Sequence, residues 1–416
     1  MRGSPLAERN KVHRVFLRTS VIDSWVLLND YQSIMANVNL SNAKTAKNDE
    51  FYTQYADIQK EINAYLDYDP DVFRGKTVLL PCDDPEWSNF TKFFAQNFEL
   101  LGLKKLISTS YAPESKRYKL PYQPTLFETS QPYFNPDKTK TNGKIFVLER
   151  DITGDNRINI DDLEWQYLEG DGDFRSKEIR ALRDEADIIV TNPPFSLFRE
   201  FVTWLTEADK KFIIIGNMNA ITYSEVFYLM MSNRLWFGVS IHSGDREFAV
   251  PDTYPLEAAG WRIDENGKKY IRVKGVRWFT NIEHGRLHEP LKLMTMSDNF
   301  KHSKHKEIRG RNKFLKYINF DAIEIPFTDA IPSDYEGVMG VPISFMDFYC
   351  PEQFEILGID GGDMGSNYGV SSNLTNEECK ALFNEHKGFR RGKLCYRNDE
   401  GKLEVCYRRI LIRKKQ

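Results

Sequence analysis

Four consecutive residues, Asn192-Pro193-Pro194-Phe195, combine types that can act on an amine attached to an aromatic ring. Such an exocyclic amine is a poor nucleophile, because its lone pair is delocalised into the ring. Two acceptors aimed at its hydrogens favour the pyramidal, electron-rich form. The Asn192 side-chain carbonyl can supply one. The Pro193 backbone carbonyl, held by restricted φ angles, can supply the other. Phe195 offers a flat face on which a base can stack. The chemistry expected is methyl transfer to the amine of a nucleobase. The plainer alternative is a rigid Pro-Pro turn carrying a buried Phe195.

A methyl donor needs its own site. The apolar run Lys76–Pro81 ends in Cys82-Asp83-Asp84-Pro85. A carboxylate just past a first strand, here Asp83, can accept hydrogen bonds from a ribose or an amino-acid ammonium. It can equally cap a helix or close a turn. Gly170-Asp171-Gly172-Asp173-Phe174 is a second acidic turn. There Asp173 can accept from an adenine amino group while Phe174 packs on the ring; an ordinary Gly/Asp loop is the alternative.

Other polar clusters are weaker. Asp151–Asp162 resembles a calcium loop, but Asn156 replaces the required Gly and Asp162 the closing Glu. His242, His284, His288, His302 and His305 lack metal-ligand spacing and read as surface or structural, so no metal is expected. The five cysteines, Cys82, Cys350, Cys379, Cys395 and Cys406, form no CxxC pair. A reduced, cytoplasmic protein is expected. No apolar run is long enough to span a membrane, and no signal peptide is apparent in MRGSPLAERNKVHR.

The elements that must position these residues alternate. Strands are predicted at Lys76–Pro81, Lys105–Ser110, Ile145–Leu148, Asp187–Thr191, Lys211–Gly216 and Leu235–Val239. Helices are predicted over Ser88–Leu101, with Ser88 as N-cap, over Leu197–Thr206 and around Ser224–Met231. Such alternation implies an α/β fold with a parallel sheet covered on both faces. Asn192 then follows a strand directly and precedes a helix, at the sheet edge where open α/β folds place ligands. With 416 residues, 41% of them hydrophobic, the chain can build two or three cored domains. Residues 1–47 read as an extension, 48–249 as the α/β domain, and 250–416 as a second, mixed α+β region. Residues 113–142 read as an inserted surface loop.

The net charge of −3 hides an asymmetry. Between Lys292 and Lys316 eight Lys/Arg face only Asp298 and Glu307, and eleven Lys/Arg fall between Glu385 and Gln416. A basic C-terminal part fits a polyanionic partner; a solvated Lys/Arg surface is the alternative.

Several strings resemble the EcoRI-type adenine-N6 DNA methyltransferases. They are NDEFYTQYADIQKE (48–61), LLPCDDPEWSNFTKFFAQNFELLGLKKLI (79–107), GDGDFRS (170–176), DIIVTNPPFSLFREFV (187–202), KFIIIGNMNAITYSEVF (211–227), EGVMGVPISFMDFYCPEQFEILG (336–358) and RRILIRKK (408–415). The resemblance runs from about residue 48 to the C-terminus, with strings in the family's order. It implies a Rossmann-like methyltransferase domain with a C-terminal target-recognition region. It also implies S-adenosylmethionine (SAM) as donor and adenine in double-stranded DNA as acceptor, in a restriction-modification or orphan setting that can include a cognate endonuclease. Carried over, Asn192, Pro193, Pro194 and Phe195 are the catalytic motif. Phe51, Tyr52 and Thr53 fall in a cofactor-binding segment, Cys82 and Asp83 at the first-strand position, and Asp173 and Phe174 at the adenine-contacting position. Residues 1–47 lie outside the resemblance, and the segments 111–142 and 359–405 align poorly, so no recognition sequence carries over.

The expected function is therefore SAM-dependent methylation of a flipped-out adenine at N6. Cytosine-N4 methylation, protein-glutamine methylation and an inactive DNA-binding protein are the alternatives. The basic C-terminal region argues for nucleic acid over protein, and the intact Asn192–Phe195 motif argues against an inactive protein.

Overall fold

The computed structural model describes residues 53–82, 88–112, 129, 134–242, 245–250 and 260–415. The chain divides into two units, Met1–Asp49 and Glu50–Gln416. The first lies wholly outside the described residues, as do Phe51, Tyr52 and Asp83.

After helix α1 (Tyr55–Tyr68) the apolar run forms strand β1 (Thr77–Leu80), buried on both faces. Helix α2 (Asn89–Gln96) leads to β2 (Lys105–Thr109). Strands β3 (Lys144–Leu148) and β4 (Glu164–Tyr167) follow, then helix α3 (Lys177–Glu185) and β5 (Ile188–Thr191). Helix α4 (Phe198–Glu207) precedes β6 (Lys211–Asn217), and α5 (Ser224–Met231) precedes β7 (Trp236–Phe237). A small sheet is made of β8 (Asp245–Val250), β10 (Lys269–Lys274) and β9 (Trp261–Ile263), in that order. The chain then returns to the main sheet as β11 (Val276–Thr280).

The main sheet has the order β4-β3-β2-β1-β5-β6-β11-β7. Strands β2, β1, β5 and β6 are mutually parallel. β11 runs antiparallel to both of its neighbours. The sequence predicts a parallel sheet throughout, whereas β3 pairs antiparallel with β2, and β4 antiparallel with β3. A parallel return needs a crossover helix. Between β2 and β3 the described residues include the single helical turn Lys138–Thr141.

Alternate side chains of the central strands enter two cores. Leu79, Ile107, Ile189 and Ile214 belong to one; Val78, Leu80, Leu106, Ile188, Val190, Ile213 and Ile215 belong to the other. Continuous apolar strands are the mark of a sheet covered on both faces. Ser88 caps α2 by accepting from the Phe90 N–H at 3.0 Å. The helix predicted to reach Leu101 stops at Gln96. The Asn97 side chain donates back to the Phe93 carbonyl, and a separate turn, Phe98–Leu101, ends in left-handed Gly102.

The strand order reverses between β1 and β5, because the chain leaves β1 toward β2 and later comes back on its other side. Ligands of open α/β sheets bind outside the carboxyl ends at such a point. Val78 faces Ile188 and Leu79 faces Ile189, so the chain leaves β1 toward Cys82 and β5 toward Asn192 at the same edge of the sheet.

Farther on, β12 (Ile323–Glu324), β13 (Met339–Pro342), β14 (Phe354–Ile359) and β17 (Arg409–Lys414) form a four-stranded sheet. β15 (Cys395–Arg397) and β16 (Leu403–Val405) make a separate hairpin. The closing strand β17 lies between β13 and β14. Its Arg409 is paired with buried Glu324. Among the described residues no helix is long and apolar enough to cross a membrane.

Candidate active site

Asn192 begins where β5 ends and is half-buried. Pro193 is buried and Pro194 half-buried. Pro194 opens a tight turn, Phe195–Leu197, in which the Leu197 N–H donates to the Pro194 carbonyl at 2.9 Å. α4 starts at the next residue. The seating of that helix depends on Gly216 in β6: a Cβ there would stand 2.3 Å from the Phe198 ring. The absent side chain lets Phe198 settle on the strand and against Phe279, with ring centroids 4.9 Å apart. The four residues thus lie between the end of β5 and a helix seated closely on the sheet.

Phe195 is 6% exposed and lies in the core shared with α1, β8 and β10. In this state its ring is covered. Any base that stacks on it must reach it by displacing part of that cover.

The candidate cofactor residues are placed as follows. Cys82, half-buried, packs against the core at the end of β1. Thr53 is buried, and its carbonyl accepts from the Asn89 side chain at 2.7 Å. Asn89 is the first residue of α2, so Thr53 is tied to the connection that follows β1. The Gly170–Phe174 turn is docked on the end of β2, where Ala112 N–H donates to the Asp171 carbonyl at 2.8 Å. Gly172 permits this: its φ is +84°, and a Cβ would meet the Ser110 carbonyl at 2.1 Å. The structure therefore gathers Thr53, Cys82, the Asp173 turn and Asn192 on the carboxyl edges of β1, β2 and β5.

Two of those residues are otherwise engaged. The Asp173 carboxylate takes Arg175 in a fork, with Nε at 2.8 Å and Nη2 at 2.6 Å. That bond raises the Arg175 pKa above its ordinary value. Phe174 is buried edge-on against Phe201 and Trp204 of α4, so its ring serves the core and presents no open face.

The calcium-like loop is closed on itself. The Asp151 carboxylate accepts from the Gly154 and Asn156 N–H groups, and Asp162 from Ile152, Thr153 and Asn159. Burial pushes the Asp162 carboxyl up, but the backbone donors outweigh it and bring it down to about 2. No group of three or more His, Cys, Asp or Glu among the described residues has the geometry to hold a metal. His284 is a packing residue: Nε2 contacts the Phe237 carbonyl at 3.0 Å and Nδ1 accepts from the Leu287 N–H.

One supporting residue has no counterpart in the motif reading. Glu61 is fully buried on the core face of α1, with Ile58, Ile62 and Tyr65. It accepts from the Val239 and Ser240 N–H groups and from the Tyr65 hydroxyl. A charged residue inside an apolar helical stripe is the sequence signal that marks it.

A family model described as "Adenine-specific methyltransferase EcoRI" matches residues 39–415. The chain is 41% identical over 335 residues to the type II methyltransferase M.EcoRI of Escherichia coli, covering 80% of this chain and 93% of that protein. It is 31% identical over 379 residues to the type II methyltransferase M.MpnI of Mycoplasma pneumoniae, covering 90% and 98%. A third relative, M.MgeORF184P of Mycoplasma genitalium, is 31% identical over 322 residues, covering 77% and 85%. No solved structure matches the chain. With the motif at the sheet's switch point and a match over nearly its whole length, this chain belongs to the EcoRI family of adenine-specific DNA methyltransferases.

Proposed function

We propose that the chain transfers a methyl group from SAM to the N6 amine of an adenine extruded from double-stranded DNA, using a Rossmann-like domain. The observation that carries this reading is that the Asn192–Phe195 turn leaves β5 at the sheet edge where β5 lies beside β1 and strand order reverses.

The residues present fit such a donor. Thr53 Oγ1 is a buried oxygen with no hydrogen-bond partner, beside the connection after β1. Thr53, Cys82 and Asp173 would hold SAM, and Phe51, Tyr52 and Asp83 are assigned with them on the resemblance alone. The donor supplies a methyl group on a sulfonium, already a good electrophile. The chain's part is to bind, orient and exclude water. The Asn192 oxygen and the Pro193 carbonyl accept from the two amine hydrogens, which aims the nitrogen lone pair away from the ring and toward the donor. Pro194 fixes the backbone of that turn. Phe195, once uncovered, stacks on the base. The region after residue 250, with its basic stretches, holds the duplex largely through phosphates. No disulfide forms among the five cysteines, which suits a reducing cytoplasm. A partner endonuclease in a restriction-modification pair is consistent with the type II names of the relatives.

Expression in methylation-free cells, followed by modification-sensitive sequencing of their DNA, tests the reading. N6-methyladenine at one defined sequence is expected. N4-methylcytosine would replace the acceptor base, and unmodified DNA with labelled protein would replace the substrate class.

A further inference from the structure

The carboxyl edge of the sheet carries a second group of polar side chains. β7 runs parallel to β6 and, beyond Phe237, leads to His242. β11 runs the other way, so its early residues Val276 and Arg277 sit on this same edge. Three strand spacings separate β5 from β7, which sets the two strands roughly 14 Å apart along the edge.

Arg277 is fully engaged. It forms a buried fork with Asp347 at 2.6 and 2.8 Å and donates to the carbonyls of Val276 and His242. Arg286 is placed differently. It lies over the Phe348 ring at 5.3 Å and donates through Nη1 to Nε2 of His242. A guanidinium cannot accept, so Nε2 must, and the imidazole is neutral with its proton on Nδ1. Burial, with Arg286, Arg277, Lys60 and Arg246 around it, holds the His242 pKa down at about 4.

The His242 Nδ1 is buried with no hydrogen-bond partner, and so is the Nε of Arg246. Among the described residues no salt bridge ties down Arg246 or Arg286. The acids nearby are Asp57, which faces Arg246 and Lys60, and Asp347, Glu289 and Glu61, which face Arg286; Asp347 is already held by Arg277, and Glu61 by the Val239 and Ser240 N–H groups. Buried donors left unpaired are costly and rare. A cluster that offers only donors, two of them on guanidinium groups, suits an anionic oxygen.

We infer that His242, Arg246 and Arg286 form an anion subsite that holds a backbone phosphate of the DNA while the acceptor base lies at Asn192. The subsite rests on the DNA-methylation reading. The carboxylate of the methyl donor offers similar chemistry, and the test separates the two sources.

The test is titration of the enzyme with a fluorescent duplex at several salt concentrations, for wild type, Arg246→Gln, Arg286→Gln and the double variant, with SAM affinity and melting temperature measured alongside. Each single substitution is expected to weaken DNA binding about tenfold. The slope of log K against log salt should become shallower by about 0.9 for the phosphate released. SAM affinity and melting should stay as in wild type. Folded variants with the wild-type slope would overturn the subsite. So would weakened SAM binding at an unchanged slope, which would give the cluster to the donor's carboxylate. If the variants do not fold, wild-type protein and duplexes with single neutral methylphosphonates decide: one position should cost about tenfold, and indifference at every position would overturn the proposal. A wild-type protein that transfers no label to DNA would instead be a failure of the methylation reading.

Discussion

The Glu61 carboxylate sits 2.6 Å from the backbone nitrogen of Ser240, with no surface exposed to solvent. Its other oxygen takes the Val239 N–H at 2.9 Å. The pair fastens α1, which starts just after Thr53, to the loop that leads from β7 to His242. Gly238 makes room for it: a Cβ there would stand 2.1 Å from Glu61 Oε1. Burial raises the Glu61 pKa, and the hydrogen bonds only partly offset this.

Glu61→Ala should therefore cost about 3–5 kcal/mol, since it leaves two buried N–H groups without an acceptor and opens a cavity. Glu61→Gln keeps one acceptor and should cost less. Urea unfolding measures both; an Ala variant as stable as wild type would show that the clasp does not hold the fold.

Phe195 is covered by core side chains, so its two roles must be separated. Phe195→Ala should lose about 3–5 kcal/mol of stability and slow transfer as well. Phe195→Leu fills most of the space without an aromatic face. It should melt near wild type yet transfer methyl groups one to two decades more slowly, if about 1–3 kcal/mol of stacking is expressed in the transition state. A Leu variant with wild-type transfer would leave the ring only a packing role. With 2-aminopurine at the acceptor position, the Leu complex should also fluoresce more brightly than the wild-type complex.

Much of this was legible in the sequence. KTVLLP, DIIVT and KFIIIG are unbroken apolar runs bounded by turn residues, and each forms a strand of the parallel centre. The Ser88 cap follows from its hydroxyl and the Phe spacing behind it. The antiparallel β3 and β4 were not legible: β4, EWQY, alternates polar and aromatic residues but over only four positions, and nothing local in β3 encodes its direction. The bonds from Glu61 to Val239 and Ser240 and the Arg277–Asp347 pair join residues 70 or more positions apart, which periodicity cannot reveal. Phe174 and Phe195 were readable as aromatic, but whether a ring faces a ligand or the core is decided by packing that no short motif contains.

Asp360 gives a pH signature. It is buried, accepts from the Arg409 and Leu394 N–H groups, and burial pushes its carboxyl up to about 6. The fold thus favours the protonated form. Its contribution is complete below the unfolded value near 4 and is lost as pH rises through about 6. Asp360→Asn cannot titrate, so between pH 4 and 7 the wild type should lose up to about 3 kcal/mol relative to it. A melting-temperature difference that stays flat across that range would contradict the assignment.

The basic stretches Lys292–Lys316 and Lys387–Lys415 should make DNA binding steeply salt-dependent. Neutralising roughly six phosphates gives a slope of log K against log salt near −5. Arg390 and Arg391 donate to backbone carbonyls around Phe389 and Leu374 and remain exposed, so reversing their charges should flatten the slope without unfolding the protein. A slope near zero in wild type would make these stretches solvated surface only.

The central claim is that Asn192 acts on the acceptor amine, and single-turnover transfer of tritium from labelled SAM into duplex DNA, with SAM and DNA both saturating, tests it most directly. Wild type should place the label on adenine N6. Asn192→Ala should bind SAM nearly as well but transfer about 10²–10³ times more slowly, the usual cost of removing one preorganised hydrogen-bonding group. A folded Asn192→Ala enzyme that transfers at the wild-type rate would contradict the account.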